Sequence, residues 1–233
     1  MNLYLLRHGT THWNALHRIQ GRSDIPLDAA GKEIARQSGA ELAARGIRFA
    51  VVYSSPLLRA RRTAELVAQD APITICEGLR EVCFGEFEGR TVAEMMAEPG
   101  CAFRYFKSEP SRYDEEVRRM ALEGAADAPE SLTALRGRAA IFLQEVLEPG
   151  LRTLPADSNV LIAGHGAMNK ALLMVMQKNE DLRSFWGKGL QANCGFHIIS
   201  AVLKADGAVS YQAEENCRIY YDPAVLQGFS NLL

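Results

Sequence analysis

Two short apolar runs, each ending in a histidine and a glycine, constrain this chain more than any other feature. The first, Asn2 to Leu6, stands at the start with no room for a helix before it, and runs into Arg7-His8-Gly9. The second, Asn159 to Ala163, runs into Gly164-His165-Gly166 and then a helical stretch from Ala167 to Gln177. Apolar runs of that length read as strands buried on both faces. Open α/β sheets of such strands hold their ligands at the carboxyl ends, where Arg7, His8 and His165 fall. An arginine presents a planar fork of donors suited to phosphate oxygens. A histidine beside it can serve as base, metal ligand or nucleophile, and Gly9 lets the backbone come close to whatever binds. Taken alone, Arg7-His8-Gly9 reads equally well as a strand end with a surface arginine and a packed histidine. A second histidine in the same arrangement is much harder to explain that way, and the set looks like a phosphate site.

Helices and strands alternate between the two runs. Pro26-Leu27-Asp28 starts a helix with Asp28 as N-cap. Ala30, Ile34, Ser38 and Leu42 share its apolar face, and Gly46 ends it. Ala50 to Tyr53 is the next strand, and Ser54-Ser55-Pro56 supplies a capping serine and a first-turn proline for a helix over Leu57 to Ala68. Arg59 falls in the first turn of that helix, where the dipole favours anions over cations. A cation in that position hints that an anion binds there. Asn14 and Gln20, in the polar stretch after the first strand, have amide hydrogens to add. His12 and His17 have no evident partner and read as surface or supporting residues. Ile73 to Ile75 is a third strand. Leu79 to Gly89 packs glycines and phenylalanines around its acids and reads as an irregular loop that holds a carboxylate. Spacing alone does not choose among Glu81, Glu86 and Glu88.

Residues 91–130 depart in composition, with Pro99-Gly100, Pro110, Pro129, and aromatics at 103, 105, 106 and 113. They read as short helices and loops that form an ordered cap over the carboxyl end of the sheet. Ser131 to Leu147 is an amphipathic helix with Leu132, Leu135, Ala139, Phe142 and Val146 on its apolar side. Leu182 to Trp186 is a short helix. Gly195 to Leu203 and Val209 to Ala213 form a hairpin turning at Asp206-Gly207, with His197 structural among apolar neighbours. The aromatic tail from Ile219 is expected to pack on the body.

Bulk properties exclude more than they assign. The 233 residues carry a net charge of -2, with 26 basic and 28 acidic side chains, so no nucleic acid or membrane partner is expected and any anion must bind through a local cluster. The 5 cysteines are odd in number and lack a CxxC pair, which points to reduced, mostly buried thiols and a cytoplasmic protein. No apolar stretch reaches transmembrane length, and nothing before the first strand resembles a signal peptide.

With these residues in place, the chain resembles the histidine phosphatase superfamily, the phosphoglycerate mutase-like proteins. Leu6-Arg7-His8-Gly9 with Trp13-Asn14 is similar to the opening signature, and Gly21, Asp24, Pro26-Leu27 and Gly31 to the segment after it. Ser54-Ser55-Pro56-Leu57-Leu58-Arg59-Ala60 with Thr63-Ala64 resembles the second motif. Leu79-Arg80-Glu81 with Phe84-Gly85 and Glu88-Gly89 resembles the third and singles out Glu81. Pro129-Glu130-Ser131 and Gly164-His165-Gly166 complete the set. Thr10 stands where a glutamate is common, and the cap matches nothing placeable.

The resemblance implies one histidine phosphatase domain over residues 1–233. Its α/β fold is three-layered, α/β/α, with a mostly parallel central sheet and a helical cap insertion at about 91–130. It further implies that His8 attacks phosphorus to form a phosphohistidine. Arg7, Arg59 and His165 hold the phosphoryl oxygens, Asn14 and Gln20 assist, and Gly21 and Gly166 lie beside the substrate. Glu81 protonates the leaving oxygen and then activates water. Two flanking arginines keep His8 neutral and nucleophilic, and convergent cationic donors stand in for a metal. No cofactor or metal is expected. A metal hydrolase using His8, His12 and His165 lacks a dedicated carboxylate ligand. The expected substrate is a small phosphomonoester, with inorganic phosphate as product and a homodimer left open. The run Phe84 to Gly89 looks more like the broad phosphatase and ribazole-phosphatase branch. Arg118-Arg119 keeps a cofactor-dependent phosphoglycerate mutase as the alternative, because mutases bind a carboxylate with adjacent cap arginines. A non-catalytic phospholigand-binding module ranks last.

Overall fold

The opening apolar run is β1 (Asn2–Arg7). In the computed structural model, which describes residues 1–213 and 217–230, it is followed by α1 (His12–Ala15), α2 (Ala29–Ala44), β2 (Val51–Ser54), α3 (Leu58–Ala68) and β3 (Ile73–Ile75). Then come α4 (Val92–Ala97), α5 (Tyr105–Ser108), α6 (Pro110–Leu122), α7 (Leu132–Phe142) and α8 (Glu148–Leu151). The chain returns to the sheet as β4 (Asn159–Gly164) and continues through α9 (Gly166–Met176), β5 (Phe196–Leu203), β6 (Val209–Ala213) and α10 (Ala224–Ser230). The six strands lie in the order β3-β2-β4-β1-β5-β6. β3, β2, β4 and β1 are mutually parallel, and β5 runs antiparallel to both β1 and β6.

Alternation along the strands explains why both apolar runs are continuous. Leu3, Leu5, Val160 and Ile162 face a core shared with α7 and α9. Tyr4, Leu6, Leu161 and Ala163 face a second core shared with α2 and α3. Both sheet faces are therefore covered by helices. β1 and β4 pair in the register Leu6↔Ala163 and Arg7↔Gly164, so the strands end level and each delivers its histidine to the same edge.

Several local expectations hold. Asp28 caps α2, its carboxylate accepting from the Gly31 N–H at 2.6 Å, and Ala30, Ile34, Ser38 and Leu42 are buried. The hairpin turns at Gly207 with φ +83°. The aromatics of 103–113 form an ordered cluster in which the Phe106 ring lies 4.9 Å from Phe84, 4.9 Å from Tyr113 and 5.1 Å from Trp186. Tyr220 packs edge-on against Phe196 at 5.3 Å, while residues 231–233 of the expected tail lie outside the described residues.

Four expectations are corrected. No serine caps α3: Leu57 occupies the N-cap position without a side-chain bond, and the Asp24 carboxylate accepts from the Leu58 N–H at 2.7 Å. Gly9 makes room for a helix rather than a ligand, since a Cβ there would lie 2.6 Å from the Gly31 carbonyl oxygen. The helix after Ser131 passes into a π-helical stretch over Leu143–Leu147. That extra winding brings Leu143 and Leu147 into the core and leaves Val146 exposed. Finally, α6 spans 13 residues, longer than the short helices expected in the cap.

Candidate active site

A cavity of about 460 Å³ opens at the carboxyl ends of β1 and β4. Arg7, His8, Arg59, Glu81 and Gly166 are among its lining residues, so one chamber gathers parts from β1, α3, the loop before residue 89 and the start of α9. His8 is 5% exposed, and its Nδ1 lies 2.6 Å from the Gly9 carbonyl oxygen. A carbonyl can only accept, so Nδ1 carries the proton and Nε2 keeps its lone pair. Burial pushes the His8 imidazole well below its ordinary value, and the Arg59 and Arg7 charges push it further. Burial is thus the larger cause, ahead of the arginines.

His165 is fully buried, with its ring centroid 5.3 Å from that of His8. Its Nε2 lies 2.8 Å from the Ser55 hydroxyl, which explains the serine that does not cap α3. Its Nδ1 has no hydrogen-bond partner. Burial and then the charges of Arg59, His8 and Arg7 hold this imidazole well below its ordinary value too.

The two arginines are held by backbone carbonyls. Arg7 donates to the Gln191 carbonyl at 2.5 Å. Arg59, 1% exposed, donates to the carbonyls of Ser23 at 2.8 Å and Gly21 at 2.6 Å. Burial pulls its guanidinium down to about 10, against the supporting charges of Glu81, Asp24 and Glu88. Each guanidinium keeps a buried Nε without a partner. The loop that holds Arg59 is itself tied by Glu88, whose carboxylate accepts from the N–H groups of Arg22 at 2.9 Å, Ser23 at 2.8 Å and Phe84 at 3.1 Å. Gly21 in that loop has φ +52°, in the left-handed region open to glycine.

Glu81 is anchored on the start of α9. Its Oε1 accepts from the N–H groups of Val82 and Met168, each at 2.9 Å, and its Oε2 accepts from that of Ala167 at 3.1 Å. Its loop is clamped from behind by Arg138, which donates to the carbonyls of Gly78 at 2.8 Å, Arg80 at 2.6 Å and Glu81 at 3.2 Å. The same guanidinium makes a two-point pair with Glu130, at 3.1 and 2.8 Å. Glu86 is exposed and Glu88 serves the backbone, so of the three acids only Glu81 lines the cavity.

Asn14, Gln20 and Gly21 also line the cavity. The Asn14 side-chain oxygen accepts from the Thr11 N–H at 3.0 Å, and Gln20 has a buried side-chain oxygen without a partner. Thr10 bonds Asp28 at 2.7 Å. Sequence reasoning missed the outer wall, including His17, Arg18, Arg104, Lys107 and Leu190. Arg104 and Lys107 sit three apart among the cap aromatics, a signal too weak to read without the fold. Arg118 and Arg119 are not on that wall: they lie on α6, exposed, where Arg118 approaches Asp114 at 3.8 Å and Arg119 binds Glu116 and Glu123, each at 2.8 Å. His12 is exposed and outside the cavity, so the set His8, His12 and His165 does not assemble.

A mostly parallel α/β sheet with a histidine pair at its carboxyl edge is the architecture of the phosphoglycerate mutase-like fold. The chain belongs to the histidine phosphatase superfamily, whose branch 1 model matches residues 3–209. It is 37% identical over 172 residues to a protein of Citrobacter koseri named probable phosphoglycerate mutase GpmB, covering 71% of this chain and 70% of that one. Its structure is similar to Bacillus stearothermophilus YhfR, with TM-score 0.74 and 29% identity over 92% of this chain and 96% of that one. The alpha-ribazole phosphatase of Shigella flexneri shares the fold, with TM-score 0.69 and 22% identity over 93% and 96% of the two chains. Among the described residues no helix is long and apolar enough to cross a membrane.

The two depressed histidines make a stability prediction. Unfolded, each imidazole titrates near ~6.5; folded, each stays neutral well below that. The unfolded state therefore binds more protons in that window, so their contribution is complete above ~6.5 and is lost as the pH falls toward the folded values. Stability should therefore fall as the pH drops through that window, with a contribution from each histidine. Melting of the ligand-free protein between about pH 7.5 and about pH 5 measures it, and His165→Asn should flatten the curve. An unchanged slope in that variant would show that burial of His165 does not oppose its protonation.

Proposed function

We propose that this chain is a phosphomonoester hydrolase working through a phosphohistidine on His8, independent of metal. One observation carries the reading: a neutral His8, its Nδ1 committed to the Gly9 carbonyl and its Nε2 lone pair free, lines one cavity with Arg7, Arg59 and Glu81. A nucleophilic nitrogen beside two guanidinium groups and a carboxyl matches a phosphoryl group, which calls for attack, charge-assisted donors and a proton source in one place. His8 Nε2 attacks phosphorus and the P–O bond to the alcohol breaks. Glu81 gives its proton to the departing oxygen. Water then attacks the P–N bond, Glu81 takes the proton, and phosphate leaves with His8 neutral again. Arg7, Arg59 and His165 hold the equatorial oxygens, with Asn14 and Gln20 beside them.

A cofactor-dependent phosphoglycerate mutase is the second reading, favoured by the name of the Citrobacter koseri relative. The engagement of Arg118 and Arg119 with acids of their own helix supports hydrolysis instead. The test is the protein given 3-phosphoglycerate and a trace of 2,3-bisphosphoglycerate in the presence of a chelator. Inorganic phosphate should appear faster than 2-phosphoglycerate, at the rate seen without the chelator. Isomerisation without phosphate release would establish the mutase, and activity restored only by zinc or manganese would establish a metal enzyme.

A further inference from the structure

The phosphoryl end accounts for only part of the cavity. Its volume of about 460 Å³ is that of a pocket for a whole small organic ligand, typically ~300–1,000 Å³. Beyond Gly166 the wall changes character. Val92, Met96 and Leu190 line it while remaining 38%, 47% and 41% exposed, so large apolar side chains face the space rather than the core. The Phe84, Phe103, Phe106 and Trp186 cluster lines it as well, fixed by ring contacts and by the Trp186 indole N–H donating to the Phe106 carbonyl at 2.6 Å. On the same wall Arg104 and Lys107 are exposed, and among the described residues neither is joined to a carboxylate. Glu81, already engaged at the base, is the one acid among the lining residues.

We propose that the outer cavity is a second subsite, and that the preferred substrate is a phosphomonoester whose alcohol has an apolar body and ends in a second anionic group held by Arg104 and Lys107. The inference rests on the phosphomonoesterase reading, since that fixes which end the phosphoryl group occupies. Exposed apolar side chains around a cavity gain from covering by an apolar ligand. Cations at its mouth that no carboxylate joins, among the described residues, raise the local concentration of anions. A cationic body would be repelled. A polyhydroxylated one finds Ser108 as the neutral hydrogen-bonding side chain of the cap wall. The second anion can be a carboxylate or a phosphate, and the two share the chemistry that the cations recognise.

The test uses non-hydrolysable phosphonates, so it reads binding whether or not the protein turns them over. Calorimetry compares heptylphosphonate, 8-phosphonooctanoate and heptane-1,7-bisphosphonate. Two exposed ion pairs of ordinary strength predict that either ligand with a second anionic end binds about tenfold more tightly than heptylphosphonate. Raising salt from about 50 to about 500 mM should erase most of that preference. In the double variant Arg104→Gln, Lys107→Gln the preference should collapse to near unity. Shortening the alkyl chain should weaken binding by about two- to fourfold per methylene, and Met96→Asn should blunt that dependence. A preference for carboxylate over the second phosphonate, or the reverse, identifies the natural terminus. Equal binding of the end-charged and plain ligands, or a preference that survives the double variant, overturns the subsite. Failure of all three ligands to bind overturns the phosphoryl site itself, and the subsite with it.

Discussion

His8→Ala should lose roughly 10⁴–10⁶-fold in turnover, because the atom that forms the covalent bond is gone and water must attack unaided. The measurement that goes beyond rate is the intermediate. Rapid mixing of the unmodified protein with substrate, then alkaline quenching, should leave acid-labile phosphate on the peptide that holds residue 8. The geometry gives a reason to expect it there and not on His165. His8 Nδ1 is committed to the Gly9 carbonyl, which frees Nε2 in a residue that lines the cavity. His165 lies outside the lining, fully buried, with Nε2 against Ser55. Burial and two arginines keep His8 unprotonated, so the lone pair is available well into acid. Label on His165, or undiminished turnover in His8→Ala, would reverse the two roles.

Glu81→Gln should separate substrates by their leaving groups. An alkoxide leaves badly and needs a proton as its bond to phosphorus breaks, while a nitrophenolate leaves well unaided. General acid catalysis is worth about 10²–10⁴-fold, so formation of the phosphoenzyme should slow by about that factor for an alkyl phosphate and little for p-nitrophenyl phosphate. The substitution is not silent in other respects. Its oxygen can keep the N–H groups of Val82 and Met168, but its NH₂ then faces the Ala167 N–H that now lies 3.1 Å from Oε2. Some loss with both substrates is therefore expected from geometry, and the contrast between substrates isolates the acid. In the proposed mechanism Glu81 also activates water in the second step, so the first-turnover burst of nitrophenol is the quantity to read. An intact burst followed by slow turnover supports the assignment. An equal, large loss in both first turnovers would mean that Glu81 only shapes the start of α9.

The parts of the site carried by strand ends were legible in the sequence. A buried strand has a fixed direction and a sharp end, so an apolar run followed by a histidine and glycine places its histidine almost without tertiary information. Glu81 was not legible from spacing. It sits in an irregular loop whose shape is set by Arg138, Glu130 and Glu88, long side chains bonding to backbone groups far away in sequence. Only resemblance chose it. Ser55 misled because a serine before a proline and a helix reads as a cap, while its hydroxyl is engaged by His165, 110 positions on. The π-helical stretch at 143–147 defeated a pattern that assumed one period throughout. The outer wall was invisible for a simpler reason. Arg104 and Lys107 are close in sequence, but Leu190 comes from a distant segment, and nothing local places any of them over the strand ends.

The pairing of β1 with β4 has a consequence for how the molecule forms. Asn2 and Asn159, paired across these strands, stand 157 positions apart in the chain. Contacts of such separation carry a large loop-closure cost and form slowly. β2, β3 and the α2–α3 pair can assemble from nearby sequence while His8 and His165 are still far from each other. A one-residue slip between β1 and β4 would turn every side chain of the slipped strand to the wrong face, so a misregistered sheet is also a poorly packed one. The two histidines therefore meet only once a long-range pairing has formed, and β5 then adds to β1 across a longer separation still, Asn2 against Ser200. A nascent chain released before residue 159 carries a complete first histidine motif and no working centre.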